Sequence, residues 1–330
     1  MPKPPLMIGW LLSSYCLVIL MLEHLLMKGK LVSSVEWWKR DGRWTCSLVC
    51  YDHVFSQIWL EPDIDLSFEV QPGRYCVGYT IVSSSESKSH IALEPWKDMK
   101  PCPSESRVRK GHKCLSCYQA DLVHPCLICD GTRCSAGPSV RKSCQEATAY
   151  VYLASFGSNR LKVGVAHKTR IPQRWIEQGA NLAERIIVGN SMEARRFENT
   201  LHKALNVLSG LKTNKKVDTL WKREGVEEVN VLAKAEEEIK RRFPDFPYYH
   251  DTLHDLSEIY DLPLLNRRPI ELKVKRDLQI SGEVLGAKGS LLLLSIGDLP
   301  HFLNLKHLIG RKIVFKKADS MTMQTALDKF

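Results

Sequence analysis

The sequence lacks the short motifs that mark several common enzyme classes. Its 330 residues contain no glycine-rich phosphate loop, no nucleophile elbow and no HExxH motif. P-loop nucleotide hydrolysis, serine esterase chemistry and zincin chemistry therefore have no support. Acidic residues are also scarce relative to basic ones, 37 against 47, which gives a net charge of +10. That excess favours a polyanionic partner such as nucleic acid, or an anionic membrane surface.

The sequence also falls short of a convincing membrane-spanning run. The apolar stretch at residues 7–22 is shorter than the roughly 18 to 20 residues that cross a bilayer. We interpret residues 1–27 as a hydrophobic leader, either a membrane helix or a start assigned too early, because Met27 offers a later start. A signal peptide is a further alternative, although no clear small-residue cleavage site follows. We expect a cytoplasmic location, with membrane anchoring by residues 7–27 as the alternative.

Cysteine, by contrast, is concentrated in one part of the chain. Cys114-Leu-Ser-Cys117 and Cys126-Leu-Ile-Cys129 are two CxxC pairs, and each pair places two sulfurs on one side of a tight turn. Two such pairs supply the four-cysteine set that structural zinc prefers. We therefore predict structural Zn²⁺ on these four residues. Further candidate ligands follow in the sequence, Cys134 and Cys144.

Two more cysteines lie upstream, Cys76 and Cys102, so eight cysteines are enough for two sites. The alternatives are a disulfide framework, which belongs to small secreted domains, and a redox CxxC, which seldom occurs in closely spaced pairs. Metal binding by cysteines argues against export. The cluster has many basic neighbours that suit a phosphate backbone or a solvated surface: Arg107, Arg109, Lys110, Lys113, Arg133, Arg141 and Lys142.

From Ala149 the pattern changes to alternating strands and helices. The runs AYVYLASFG and LKVGVA predict a β-hairpin, and Pro172 and Gly179 are suited to begin and end a short helix over Gln173–Gln178. A strand is predicted around ERIIVGN, followed by a helix over SMEARRFENTLHKAL. On that helix Glu198 lies at the edge of the apolar stripe. Arg174 and Glu198 can thus flank the hairpin and bind a phosphodiester with a divalent cation.

These residues resemble the GIY-YIG nuclease superfamily. Tyr150-Val151-Tyr152, Lys162-Val163-Gly164, Arg174 and Glu198 occur in that family's order and approximate spacing. The resemblance implies that Tyr152 positions or activates the nucleophile, Arg174 binds the phosphate, and Glu198 holds Mg²⁺ or Mn²⁺. Together with the cysteine cluster and the run RWIEQGA, the chain is most similar to an uncharacterised prokaryotic family of unknown function.

The chain departs from that superfamily at two motif positions, one of which is Tyr150, where the first glycine is expected. Lys162 stands where the second tyrosine is expected, and it can neutralise a phosphate or act as a base if burial lowers its pKa. The chain therefore has two candidate functions. It either cleaves DNA or RNA, or it binds nucleic acid on a nuclease-derived fold. A membrane-anchored zinc adaptor that binds protein partners is the third alternative. A basic stretch at residues 212–225 can track phosphates or form an ordinary surface loop.

The expected fold class is α+β, arranged as a series of modules. After the leader we predict a β-rich module at 31–100, a cysteine-rich zinc module at 101–146, a GIY-YIG-like α/β domain at 147–245 and a β-rich domain at 246–330. Gly282, Gly286 and Gly289 suggest bends like those of a small barrel. Pairing of these last strands with the N-terminal strands in one sheet is the alternative.

Overall fold

The fold is described from a computed structural model that covers residues 29–81, 95–157, 160–205, 216–221 and 226–316. The predicted leader at residues 1–27 lies outside the described residues. Among the residues described, no helix is both long enough and apolar enough to cross a bilayer.

The described chain consists of short strands and helices, with strands in succession at both ends and helices between them. The strands are β1 Lys30–Arg40, β2 Arg43–Asp52, β3 Val54–Trp59, β4 Asp65–Val70, β5 Tyr79–Thr80, β6 Met99–Lys100, β7 Thr148–Ser155, β8 Leu161–His167, β9 Leu182–Asn190, β10 His254–Asp255, β11 Ile270–Glu271, β12 Gln279–Lys288, β13 Leu291–Ile296, β14 Leu299–Asn304 and β15 Lys312–Phe315. The helices are α1 Leu115–Ala120, α2 His124–Leu127, α3 Pro138–Glu146, α4 Gln173–Gln178, α5 Ser191–Leu205 and α6 Val226–Arg242.

One large sheet combines strands from both ends of the described chain. Its order is β11-β14-β13-β12-β4-β15-β1-β2-β3, so the C-terminal β12 pairs with β4 and β15 lies between β4 and β1. The expected C-terminal β-barrel was wrong, since the described strands form an open sheet that ends at β11 and β3. The alternative, in which both groups of strands share a sheet, is confirmed. Local glycine signals could not decide this, because strand pairing between distant segments depends on their tertiary contacts.

The second sheet has the order β10-β9-β7-β8 and contains the predicted hairpin. Strands β7 and β8 pair antiparallel, with Tyr152 opposite Gly164. The predicted helix over Gln173–Gln178 is confirmed as α4, and Gly179 ends it with a φ of +80°. The predicted strand and the following helix are likewise confirmed, as β9 and α5.

Strand β7 is the centre of this unit because both of its faces are buried. Ala149, Val151 and Leu153 pack into a core with α5 and α6. The alternate residues, which include Tyr152, face a second core shared with the large sheet. Successive side chains of a strand point to opposite faces, so β7 separates these two cores and presents Tyr152 to α4 and the large sheet.

Helix α4 joins the two sheets. Its Trp175 is fully buried in the shared core, and the Gln173 side chain donates a hydrogen bond of 2.8 Å to the Trp37 carbonyl oxygen in β1. The Trp37 indole in turn donates a bond of 2.7 Å to the carbonyl oxygen of Gly289. At the end of α4 the backbone approaches Gly289 so closely that a Cβ there would lie 2.8 Å from the Gly179 nitrogen and 2.9 Å from the Gln178 carbonyl carbon.

We expect Gly289→Ala to destabilise the fold more than Gly297→Ala. Both glycines have a left-handed backbone, with φ of +59° and +54°, and no atom lies within 4 Å of a Cβ built at Gly297. The backbone conformation alone costs about 1–2 kcal/mol for each alanine. The clash with α4 adds about 1–3 kcal/mol at Gly289. Denaturant unfolding of both variants measures the difference, and equal losses would contradict the close packing of α4 on this turn.

Candidate functional site

Four cysteine thiols form one compact group, which we call the first cysteine cluster. Its members are Cys76, Cys102, Cys114 and Cys117, and their sulfur atoms all lie within 4.8 Å of one another. All four are free cysteines, and the Cys102 and Cys114 sulfurs are 3.9 Å apart. Four thiols around one point can hold a metal ion, and this donor set is the one that zinc prefers in structural sites.

The local backbone explains why these thiols converge. The short β5–β6 pair brings the segments around Cys76 and Cys102 together, while Cys114 directly precedes α1. The Cys76 sulfur accepts N–H bonds from Gly78 at 3.4 Å and from Cys114 at 3.2 Å. Burial opposes ionisation of Cys102, but hydrogen bonds from Ser104 and Ser106 outweigh it and lower its pKa to about 6. Cys102 is therefore a ready thiolate ligand at neutral pH.

The grouping of the cysteines differs from the one expected. We predicted that Cys114 and Cys117 share a site with Cys126 and Cys129, whereas the structure places the first pair with Cys76 and Cys102. CxxC spacing identifies which two sulfurs work together, but the partner pair depends on how β5 and β6 pair. Three other cysteines, Cys126, Cys134 and Cys144, lie between α1 and β7, and the charge of Arg195 on α5 reaches the thiol of Cys144.

A cavity of about 390 Å³ lies where α4, β8 and the large sheet meet. Its volume falls within the range of about 300–1,000 Å³ that is usual for ligand sites. Five basic side chains line it, and we call it the cationic cavity: Lys162, Arg170, Arg174, Lys216 and Lys306. Two carboxylates also line the cavity, those of Glu36 and Glu177.

The five basic side chains that line the cavity outnumber its two carboxylates, so the cavity has an excess of positive charge. Burial, followed by the charges of Arg174 and Lys306, lowers the pKa of Lys162 to about 8, although Glu198 acts in the opposite direction. Burial and the charges of Lys306, Lys162 and Arg174 lower the pKa of Lys216 to about 8 as well. Among the described residues, neither Lys162 nor Lys306 has a carboxylate within salt-bridge distance. An anionic ligand would relieve this repulsion.

The two carboxylates of the cavity, Glu36 and Glu177, neutralise only part of its positive charge. Glu177 accepts hydrogen bonds from Arg170 at 2.6 and 2.8 Å, and one of its oxygens lies 3.7 Å from Arg174. Burial and the neighbouring charge of Glu177 raise the pKa of Glu36 to about 7, so Glu36 is protonated in part at neutral pH. Glu177 thus orients Arg170 and Arg174. Because Glu36 is partly protonated, it carries less than one full negative charge.

Tyr152 lies behind the cavity wall instead of lining the cavity. Its side chain is 1% exposed, and its ring occupies the space that a Cβ at Gly164 would need, which explains this cross-strand Tyr–Gly pair. The Tyr152 hydroxyl accepts a 2.8 Å hydrogen bond from Gln178. Burial raises the pKa of Tyr152, although the nearby Arg174 and the bond from Gln178 oppose that effect. Tyr152 is therefore a neutral phenol that positions its neighbours on α4.

Glu198 is on α5 and does not line the cationic cavity, but its charge reaches Lys162, Arg174 and Tyr152. The structure thus brings together all four residues predicted from the GIY-YIG resemblance. One Glu198 carboxylate oxygen also lies 3.8 Å from Nε2 of His202, one helical turn further along. Glu198 and His202 are four residues apart on a predicted helix, so the sequence could have indicated that these two side chains are neighbours.

Sequence reasoning missed several cavity residues. Lys306 and Glu36 come from distant strands or turns and had no motif to mark them. Lys216 belongs to the basic stretch at 212–225, which was singled out only as a possible phosphate-tracking loop. Its ammonium group donates a 2.7 Å hydrogen bond to the Gln178 carbonyl oxygen and thereby fixes it beside α4.

We expect replacement of both Cys114 and Cys117 by serine to remove one equivalent of bound metal from the protein. Structural zinc contributes apparent binding free energies of about 10–16 kcal/mol, so residues 76–81 and 95–120 should also lose folded structure. Elemental analysis and Co²⁺ absorption spectra measure the loss. Cys46→Ala is the control, because Cys46 is buried among apolar side chains of β2. Unchanged metal content in the double variant would contradict a metal site at the first cysteine cluster.

No curated protein and no solved structure matches the chain. A family model described as "Protein of unknown function (DUF2797)" matches residues 102–313, a region that includes three cysteines of the first cluster and most of the cationic cavity. This match spans well over half of the 330 residues, and the chain therefore belongs to the DUF2797 family of proteins of unknown function.

Proposed function

We propose that this protein binds DNA or RNA with a backbone phosphate in the cationic cavity, and that it cleaves phosphodiester bonds there with a divalent cation. We also propose that the metal of the first cysteine cluster is Zn²⁺, in a structural role. The observation that supports cleavage most strongly is that Lys162 and Arg174 line one cavity with unbalanced positive charge, while Tyr152 lies behind its wall and the charge of Glu198 reaches both basic residues.

The basic residues supply the phosphate-binding chemistry. The Arg174 guanidinium presents a fork of donors that suits two phosphate oxygens, and Glu177 limits its freedom of rotation. The charge of Lys162 is close enough to Lys216 to lower the pKa of Lys216, so a phosphate between them would be attracted by both. Charge that develops on the phosphate oxygens during attack is stabilised by the same groups.

Glu198 is suited to hold Mg²⁺ or Mn²⁺. Mg²⁺ commonly binds one or two carboxylates together with substrate phosphates, and one carboxylate beside a phosphate pocket fits that pattern. The cation, when bound, polarises the phosphate and lowers the pKa of a coordinated water. In the reaction, the water oxygen would bond to phosphorus as the bond from phosphorus to the leaving oxygen breaks, the water would lose a proton, and the leaving oxygen would take up a proton from solvent. Lys162 in its neutral form can accept that proton, and in its charged form it binds the phosphate.

Tyr152 acts as a positioning residue in this proposal. It is buried, and its hydroxyl contacts Gln178 and lies near Arg174 on α4. Loss of the hydroxyl would free the side-chain amide of Gln178, the residue whose backbone carbonyl oxygen accepts the hydrogen bond from Lys216. The expected effect of Tyr152 on the chemistry is therefore indirect.

A second candidate function is nucleic-acid binding without cleavage. It is favoured by one observation, the presence of Lys162 at the position where the resemblance implies a tyrosine. A lysine there strengthens attraction for a phosphate whether or not hydrolysis follows.

We expect a nuclease assay to distinguish the two functions. Labelled single- and double-stranded DNA and RNA are incubated with the protein and Mg²⁺ or Mn²⁺, beside Glu198→Gln and Arg174→Ala. Metal-dependent cleavage should fall at least about 100-fold in both variants, the scale of losing one electrostatic contact to a transition state. Glu227→Gln and Lys234→Ala are matched controls at exposed positions of α6 and should keep full activity.

The other results of that assay are equally informative. Binding by the wild type without cleavage, lost in Arg174→Ala but kept in Glu198→Gln, would support the second candidate function. Absence of both binding and cleavage would contradict both functions and leave the zinc adaptor as the remaining alternative.

Affinity for nucleic acid should also fall as the pH rises through about 8. Lys162 and Lys216 have pKa values lowered to about 8, so they are mostly protonated at pH 7 and mostly neutral at pH 9.5. Each charged hydrogen bond contributes about 1.5–3 kcal/mol, so we expect at least about a tenfold loss of affinity over that range. Fluorescence anisotropy in a buffer without added Mg²⁺ measures it. A Lys162→Arg, Lys216→Arg variant should lose this pH dependence, and an unchanged profile would contradict a role for the two lysines.

A further inference from the structure

Four further cysteines between α1 and β7 also lie together, and we call them the second cysteine set: Cys126, Cys129, Cys134 and Cys144. Cys126 and Cys144 are buried, and Cys134 packs with Cys126 in a small core. The Cys144 thiol is within the electrostatic reach of all three others. These sulfurs are gathered less closely than the four of the first cluster, which lie within 4.8 Å of one another.

The two groups share a detail of backbone geometry. In the first cluster, the Gly78 N–H donates to the sulfur of Cys76 at 3.4 Å, and Gly78 has a φ of +86°. In the second set, the Gly131 N–H donates to the sulfur of Cys129 at 3.4 Å, and Gly131 has a φ of +82°. A hydrogen bond to sulfur stabilises the thiolate form, which is the form that binds a metal. The Cys-x-Gly turn is therefore built in the same way at both places.

The segment that carries the second set has little else to hold it together. Its apolar core consists of Cys126, Ala136 and Val140, with Cys134 beside them. Two of its larger apolar side chains point outward, since Leu127 and Ile128 are 73% and 69% exposed. Segments that cannot bury enough apolar surface usually require a cross-link or a metal ion. All four cysteines are free, so no disulfide supplies that cross-link.

The same segment is bound directly to α5. The Arg196 side chain donates a 2.7 Å hydrogen bond to the Gly131 carbonyl oxygen, and a Cβ at Gly131 would lie 2.7 Å from the Arg196 nitrogen. At the other end of the segment, the Ala147 carbonyl oxygen accepts bonds from the Ser191 backbone N–H at 3.0 Å and from its hydroxyl at 3.1 Å. The second set is thus fastened to the first half of the helix that carries Glu198.

We propose that Cys126, Cys129, Cys134 and Cys144 form a second four-thiolate metal site, and that its occupation holds α5 in position. The ion would be of the class that prefers thiolates, with zinc as the expected metal. This inference does not depend on the proposed nuclease or nucleic-acid-binding function.

The first test is the number of metal ions in the full-length wild-type protein. Native mass spectrometry should find two zinc ions per chain, and after exchange with ¹¹³Cd²⁺ two resonances typical of four-sulfur coordination should appear in the NMR spectrum. These measurements need no variant, so they hold even if a substitution prevents folding. One ion per chain would overturn the proposal, and so would a disulfide within the second set detected by thiol counting.

The second test assigns the ion to the cysteines and to α5. Cys126→Ser, Cys144→Ser should keep one zinc ion, and amides of residues 192–200 should exchange with deuterium at least tenfold faster than in the wild type. Gly131→Ala is the matched variant, because it keeps all four thiols but disturbs the contact with α5. It should keep two ions and still accelerate exchange in α5. Two ions in the double cysteine variant, or unchanged exchange in both variants, would overturn the proposal.

Discussion

The close approach of Gly289 to the end of α4 is the contact on which the site depends. It allows a turn of the large sheet to lie against Gln178 and Gly179 with no side chain between them. The hydrogen bonds of Gln173 and Trp37 fix the same helix to β1. Because α4 carries Arg174 and Glu177, this packing decides where the phosphate-binding groups lie relative to the residues of the large sheet.

The basic side chains of the cationic cavity repel one another in the folded protein. Among the described residues, five basic side chains and two carboxylates line the cavity, and burial together with the neighbouring positive charges lowers the pKa values of Lys162 and Lys216. Such an arrangement lowers stability unless a ligand of opposite charge binds. Tyr152 and Gln178 contribute a neutral, hydrogen-bonded support behind the charged wall.

The cysteine groups compensate for a shortage of buried apolar surface. Residues 101–146 have short helices and small apolar clusters, too little buried surface to be stable on their own. Four thiols that can hold one metal ion replace a hydrophobic core in the first cluster. That cluster lies next to the strand pair β5–β6.

The sequence by itself determined the local elements and the identity of the key residue types. The hairpin, α4 with its terminal Gly179, and α5 followed from periodicity and from turn residues, because those signals act between residues close in the chain. Only the tertiary structure decided which CxxC pair joins Cys76 and Cys102, and that strands from both ends of the described chain form one open sheet. It also decided that Glu36, Lys216 and Lys306 line the same cavity. These features depend on packing between segments that are distant in sequence. A local sequence pattern does not specify which distant segment will pack against it.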